Sequence, residues 1–509
     1  MKKIFMVIWD IDVDKYGVNS VMYKRAGLLN NADYCSELIT LDYKNNYSEI
    51  ELRLKKEGRL AENVKITNIY DYYKKSYTTS EQTVESIENY RLASEKFEPG
   101  YQVEDSGEQT HYFQNGTYVK CKTWDKHQKL RYIDYYTPEQ IHIKRDEFHN
   151  DGYINRTLNY HLSNNELIQE LYYTPDSFCY LSKWYNHKTG KQQKIFLFHP
   201  ESKEVVSFAN NREFHVNWFN ELCKNEPEKP IVICDGAGTA SKIRNMESGL
   251  AHRIYTIHTN HFEAPYTYGS ELKEYHKGML ENLENGDPIV VLTEKQKEDI
   301  IKQFGEHDNI YVIPNAIEVK NVDITQKDPL LVTVVARLDE GKAVGEAVRA
   351  FAKVIQDVPD AKLHIYGEGP RKRALTSLIR KLKLRKNVEL KGYTNKVDEV
   401  LAKATVTVLT SKYEGFSLVA LESFANKTPV IIYDNNYYID EFEPAGQNGY
   451  AIPNRDREQL AEKIIYLLEN EDEAKRMGEN AYRTVQTKYS PELQYKLWTS
   501  LFNKITTQD

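Results

Sequence analysis

Short apolar runs alternate with helix-patterned segments in two blocks of the chain, and this alternation constrains the fold more than any other feature. In the first block, residues 3–10 read as a strand, 18–30 as a helix and 37–43 as a strand. The same texture returns at about residue 212, with apolar runs at 231–234, 254–257, 289–292 and 310–313 and a helical pattern at 294–304. The second block starts at 330–338 and continues through 362–366, 388–390, 405–409 and 429–433. Helical patterns at 344–355, 371–384, 419–425 and 458–468 separate or follow these runs. Strands that alternate with helices build parallel, doubly wound sheets. Two such domains facing each other make a cleft, and ligands bind at the carboxyl ends of the strands.

Between the blocks the texture changes. Residues 118–124, 130–136, 141–144, 167–173, 179–185 and 194–199 look like strands of one antiparallel sheet. Turn signals such as Asn115-Gly116, Asp151-Gly152 and Lys188-Thr189-Gly190 separate or flank them. The chain holds 38 tyrosines, which serve either as ordinary strand formers or as polar-tipped ligand and interface surface. The expected organisation is an α/β protein with a first doubly wound domain at 1–66 and 212–317. A β-rich domain is inserted at 67–211, a second doubly wound domain covers 318–489, and a final helix at 490–509 packs back on the first. At 509 residues the chain exceeds one hydrophobic core, in keeping with about three domains.

Several function classes drop out. A net charge of −7 is the wrong sign for a general nucleic-acid binder. The five cysteines (Cys35, Cys121, Cys179, Cys223 and Cys234) contain no CxxC pair, which argues against a disulfide scaffold or structural zinc and fits a reducing cytoplasm. Lys2-Lys3 and the short apolar run after them are read as a first strand, because Asp10, Asp12 and Asp14 follow directly. No run approaches the roughly 18 apolar residues of a membrane span. Asp10-Ile11-Asp12-Val13-Asp14 mimics a calcium loop, but Lys15 and Val21 stand where that loop needs Gly and Glu. Gly367-Glu368-Gly369 lacks the third glycine of a dinucleotide fingerprint, since Lys372 stands there. The basic segment from Arg371 to Lys386 is either a solvated helix face or an attractor of polyanions.

The chemistry concentrates in Ser411-Lys412-Tyr413-Glu414-Gly415-Phe416-Ser417-Leu418-Val419-Ala420-Leu421-Glu422, between a buried strand and a helix. A helix N-terminus offers unpaired N–H groups and a positive dipole end, which suits a diphosphate. Gly415 lets the backbone approach a ligand. Glu414 and Glu422 can accept sugar hydroxyls, although an ordinary strand–loop–helix with surface carboxylates would look similar. Arg337 and Lys342 follow the first strand of the second block, and fixed positive charge there would stabilise a departing nucleotide diphosphate.

This pattern resembles the Glu-x7-Glu signature of the retaining family-4 glycosyltransferases, whose fold is GT-B. The resemblance implies that Glu414 orients the transferred sugar, that Glu422 binds the ribose, and that Arg337 and Lys342 clamp the diphosphate. It implies that the backbone at Gly415, Phe416, Ser417 and Leu418 meets the donor phosphates and that Gly392-Tyr393 meets the nucleobase. On the opposing domain, Gly17 stands in the family's Gly-rich loop, with Tyr16 where a second glycine is common. His258, in Ile257-His258-Thr259-Asn260-His261, resembles the family's active-site histidine. A UDP-sugar co-substrate without a metal or other cofactor is expected.

Met1-Lys2-Lys3-Ile4-Phe5-Met6, Leu41-Asp42-Tyr43-Lys44, Ile233-Cys234-Asp235-Gly236, Val291-Leu292-Thr293-Glu294 and His364-Ile365-Tyr366-Gly367-Glu368-Gly369 narrow the resemblance. Together with the insert they are similar to TarM-type wall teichoic acid glycosyltransferases. That group implies transfer of an α-linked N-acetylglucosamine or glucose to poly(ribitol phosphate), and a homotrimer assembled through the insert. Related enzymes glycosylate serine-rich or Ser-Asp-repeat surface proteins, so a protein acceptor is the alternative. A silent transferase-like binding subunit is the third reading, disfavoured by the presence of all four charged residues. The expected location is the cytoplasm, at most at the inner face of the membrane.

Overall fold

The computed structural model describes residues 1–79, 82, 84–281, 283–319, 327–434, 437 and 446–507. Most of the polar stretch 318–328 of the sequence lies outside the described residues. The first domain is a seven-stranded parallel sheet. Its spatial order is Ile310–Val312, Ile289–Val291, His252–Thr256, Ile231–Cys234, Lys2–Ile8, Tyr34–Thr40 and Lys65–Asn68. The second is a six-stranded parallel sheet ordered Val388–Gly392, Lys362–Tyr366, Leu331–Val335, Val406–Leu409, Val430–Asp434 and Gly449–Pro453. Central strands such as Ile231–Cys234 and Val406–Leu409 are buried at every residue. Unbroken apolar runs are what helices on both faces of a sheet require.

In each domain the chain lays down three strands in one direction and then returns to the other side of the first. The order reverses between Lys2–Ile8 and Ile231–Cys234, and again between Leu331–Val335 and Val406–Leu409. At such a switch point the loops leave the strands in opposite directions and open a crevice.

Between these sheets in sequence lies a ten-stranded antiparallel meander from Gln102–Asp105 to Val205–Phe208. It starts later than expected. Lys65–Asn68 still belongs to the first sheet, and Ile69–Tyr77 and Val84–Ala93 are helices. Four of its strands are absent from the sequence reading: Gln102–Asp105, Gln109–Gln114, Ile154–Tyr160 and Val205–Phe208. The first three are rich in polar residues and carry little apolar alternation.

The meander is not a detachable unit. Tyr172, Tyr180, Leu181, Ile195, Leu197 and Phe208 share one core with Phe5, Val7, Ile39, Phe214 and Trp218 of the first domain. Tyr43, Tyr70 and Tyr172 close a ring of contacts with centroids 5.0–5.2 Å apart. The Arg156 guanidinium lies 4.2 Å from the Tyr43 ring. The distal strands have a small core of their own around Trp124, Leu130, Ile133 and Phe148. These tyrosines therefore join sheet to sheet, where a large apolar ring with a polar tip can bury area and keep its hydroxyl bonded.

The helix Pro491–Thr506 begins at a Ser490 cap that accepts from Leu493 N–H at 3.2 Å, with proline at its first turn. It returns to the first domain, where Trp498, Leu501 and Phe502 pack with Ile4, Met6, Tyr23, Ile231 and Ile254.

Deleting 67–211 should leave the Phe214–Trp218 face uncovered and give an unfolded or aggregated product. Replacing only 84–164 with a flexible linker should preserve a cooperative thermal transition. Calorimetry of the two deletions checks this.

Candidate active site

The loops at the switch point of the second sheet carry most of the residues expected from sequence. After Leu331–Val335 the chain turns through Arg337 and Lys342, and after Val406–Leu409 it passes Ser411 and Glu414 into the helix Leu418–Ala425. The two loops are stitched together. Lys412 N–H donates to the Gly341 carbonyl at 2.7 Å. Glu340 accepts from Lys412 Nζ at 2.8 Å and from Arg371 Nη2 at 3.1 Å. Lys342 Nζ reaches Glu414 Oε1 at 2.5 Å, and Ser411 Oγ donates to the same oxygen at 2.6 Å. Arg337 projects outward, 81% exposed, with Asp339 at 3.2 Å.

Glycine shapes the floor beneath Arg337. A Cβ on Gly367 would lie 1.9 Å from the Ala336 carbonyl oxygen, and φ there is 134°. Leu338 N–H donates to Glu368 O at 2.9 Å, and Gly367 N–H to Gly392 O at 2.8 Å. The G-x-G turn therefore holds the Arg337 loop and the Gly392 strand end together, a job that leaves no room for a side chain at Gly367.

Ser417 caps the helix Leu418–Ala425, its hydroxyl accepting from Ala420 N–H at 3.4 Å. Phe416 has its ring buried, 5.8 Å from Tyr489. It can offer a ligand only its backbone. Glu422 sits half-buried on the following turn, on the same short helix.

The facing edge belongs to the first domain. His258 follows the strand His252–Thr256, and its Nε2 donates to Asp235 Oδ1 at 2.8 Å. Asp235 begins the loop after Ile231–Cys234, and Arg25 ion-pairs with its other oxygen. Burial pushes the Asp235 carboxyl up, but Arg25 and His258 outweigh it and hold the group below the ordinary carboxylate value. Gly17, with φ 68°, caps the helix Val18–Leu28 that carries Arg25.

The two edges touch. A Cβ on Gly415 would meet the His258 carbonyl oxygen and Thr259 Cα at 2.6 Å each. The Tyr16 hydroxyl bonds the Tyr393 hydroxyl across the cleft, with rings 5.7 Å apart. Tyr266 packs on Tyr413 at 4.4 Å, and Lys273 Nζ lies 4.5 Å from the Tyr413 ring. His261 stacks parallel to Tyr437 at 5.7 Å. Sequence reasoning missed these tyrosine bridges, which join residues far apart in the chain. It also quoted Asp235 without a role, although that residue's place just after a buried strand was a usable signal.

Among the described residues, no three His, Cys, Asp or Glu side chains converge as metal ligands. The aspartates after the first strand are engaged by lysines. Lys44 Nζ lies 2.9 Å from Asp12 and 3.2 Å from Asp10, and Lys15 pairs with Asp10.

A family model described as "Glycosyl transferases group 1" matches residues 315–484. The poly(ribitol-phosphate) alpha-N-acetylglucosaminyltransferase of Staphylococcus aureus strain COL is 31% identical over 506 residues, spanning 99% of this chain and 100% of that protein. The chain belongs to the TarM-type glycosyltransferases. A crystal structure of TarM matches with a TM-score of 0.89 at 30% identity, covering 99% of each chain. Another, of a TarM variant in complex with Fondaparinux, alpha-GlcNAc-glycerol and UDP, matches with a TM-score of 0.88. The poly(glycerol-phosphate) alpha-glucosyltransferase of Bacillus subtilis is 28% identical over 391 residues, 74% of this chain and 56% of that protein. The fold is GT-B, as the two facing switch points require.

Because Gly415 sets the approach of the domains in this transferase, Gly415→Ala should force them apart. Misplacement by about 1 Å can cost on the order of 10²-fold in rate. Turnover should fall by that order while the melting temperature stays within a few degrees. Unchanged turnover would show that the contact does not set the reactive geometry.

Proposed function

We propose that this glycosyltransferase moves N-acetylglucosamine or glucose from a UDP-sugar to poly(ribitol phosphate) wall teichoic acid, with an α linkage retained from the donor. The observation that carries this reading is the full-length similarity to a poly(ribitol-phosphate) transferase, together with Arg337, Lys342, Glu414 and Glu422 at one switch point. Arg337 and Lys342 meet the diphosphate, and Lys342 already bonds the carboxylate assigned to the sugar. The helix behind Ser417 adds its positive end to the same place. Glu422 takes the ribose, and Gly392 and Tyr393 frame the base. His258 faces the sugar from the other domain.

The reaction needs no metal in this reading, since the protein supplies the positive charge. UDP release should persist in excess EDTA. Lys342→Ala and Arg337→Ala should each lower turnover by roughly 10²-fold, with a smaller effect on UDP affinity. A donor panel of UDP-N-acetylglucosamine and UDP-glucose, run against ribitol-phosphate polymer, glycerol-phosphate polymer and a Ser-Asp-repeat peptide, tests the assignment. Transfer to the peptide alone would replace the teichoic acid reading with the protein-acceptor one.

The same reading includes a homotrimer formed through the insert, acting at the cytoplasmic side of the membrane. No described helix is long and apolar enough to cross one. The meander has unequal edges: Gln102–Asp105 is polar, whereas Val205 and Val206 on the other edge strand are 53% and 37% exposed. Trp184, Phe196 and Phe198 lie on the strands beside it. An open apolar edge calls for a cover, and linked active sites raise the effective concentration of the next acceptor unit. Light scattering should give an oligomer for the intact protein and a monomer for Val206→Lys with Phe198→Asp. A monomeric wild type would overturn this part.

A further inference from the structure

We infer that Asp235 is a positioning residue for His258, and that Arg25 and the C-terminal helix residue Trp498 hold it in that role. The inference rests on the transferase reading, which places His258 at the donor sugar. Three elements that are distant in sequence meet at one carboxylate. Asp235 is buried at the switch point of the first sheet, and its own N–H donates to Val7 O at 3.0 Å. One of its oxygens accepts from His258 Nε2 at 2.8 Å, and the other pairs with Arg25. Arg25 is itself buried, and its guanidinium carbon lies 4.8 Å from the ring of Trp498, which is buried too.

Each partner has a distinct physical effect. An ionised carboxylate can only accept, so the His258 proton must sit on Nε2. In that tautomer Nδ1 carries a lone pair that can accept from a sugar hydroxyl. Arg25 cannot lose its charge, so Asp235 stays ionised despite its burial. Trp498 closes over the guanidinium, giving it an aromatic face in place of water. The carboxylate thus fixes both the tautomer and the rotation of the ring. A histidine without it could turn over or switch tautomer, and present a donor where an acceptor is needed.

A purely architectural ion pair would need Arg25 and Asp235 alone. The third contact, to a histidine whose backbone also touches Gly415 of the donor domain, distinguishes this arrangement. It also gives the C-terminal helix a place in catalysis, because its Trp498 braces the charge behind His258.

The test is a double-mutant cycle read by UDP release from the donor, with and without acceptor, beside UDP titration and thermal unfolding. Asp235→Asn should lower kcat by about 10²-fold or more, with the donor KM within about twofold and UDP affinity unchanged. His258→Ala should lose a similar factor. The double variant should be no slower than His258→Ala alone, because Asp235 acts through the ring. Arg25→Met combined with Asp235→Asn removes the uncompensated buried cation and keeps the test open if Asp235→Asn alone does not fold. In ¹⁵N-histidine spectra, assigned by the His258→Ala difference, wild type should show a protonated Nε2 and Asp235→Asn a mixture. Losses that multiply in the cycle, or wild-type kcat in a folded Asp235→Asn protein, would overturn the inference. A wild-type protein that releases UDP from no donor would instead overturn the transferase reading, and the inference with it.

Discussion

Gly415 carries no side chain, and the backbone of His258 and Thr259 occupies the place where one would begin. Backbone therefore meets backbone at the boundary between the two domains, closer than any other residue type would permit. Glu414 precedes this contact and the capped helix follows it, so the approach sets how near the donor loop comes to the histidine edge. Tyr16 with Tyr393, Tyr266 with Tyr413, and His261 with Tyr437 surround the contact with rings from both sides. Aromatic pairs contribute on the order of 0.5–1.5 kcal/mol each beyond the area they bury. A few such pairs can hold a cleft closed and still let it open for exchange of substrate and product.

Around that contact, charge is divided between the domains. The second domain gathers cations at its switch point: Arg337 in the open and Lys342 against Glu414. The first domain offers a buried anion, Asp235, already matched by Arg25 and His258. In the proposed reaction, charge that develops on a leaving nucleotide meets positive groups on one side. In the same proposed reaction the sugar faces His258, whose ring is oriented by its bond to Asp235, on the other. Neither side depends on the other for its own electrostatic balance, so each arrangement is built before the domains meet. Preorganisation of this kind avoids reorganisation at the moment of reaction.

The two doubly wound domains were legible because their central strands are unbroken apolar runs, as in Ile231–Cys234 and Val406–Leu409. The donor loop was legible because its chemistry is local: Glu414, Gly415, Ser417 and Glu422 fall within one strand–loop–helix. The meander was legible in kind but not in extent, since strands such as Gln109–Gln114 alternate too weakly to stand out. Two kinds of feature stayed hidden. The fusion of the meander with the first domain depends on tyrosine contacts such as Tyr43 with Tyr172, which no local period announces. The Arg25–Asp235–His258 chain spans three elements, and Arg25 sits on a helix with almost no amphipathic pattern to mark its buried face. The ring of Phe416 joins the core beside Tyr489, a packing role that the loop sequence does not announce.

The aspartates after the first strand show how local context decides the meaning of a motif. Asp10 and Asp12 lie at a switch point, where carboxylates could gather a cation for a nucleotide. Lys44 instead reaches across from the loop after the second strand, donating to Ile11 O at 2.8 Å and pairing with both aspartates. Lys15 completes the set on Asp10. Burial raises the Asp10 carboxyl, and the two lysines more than reverse that, leaving it below its ordinary value. The protein's own ammonium groups therefore neutralise these carboxylates. In the proposed function, Arg337, Lys342 and a helix N-terminus on the opposite domain supply cationic character to the phosphates. The proposed independence from metal rests on this division: the carboxylates are spent on lysines, and the phosphates are left to fixed cations that need no ion to bridge them.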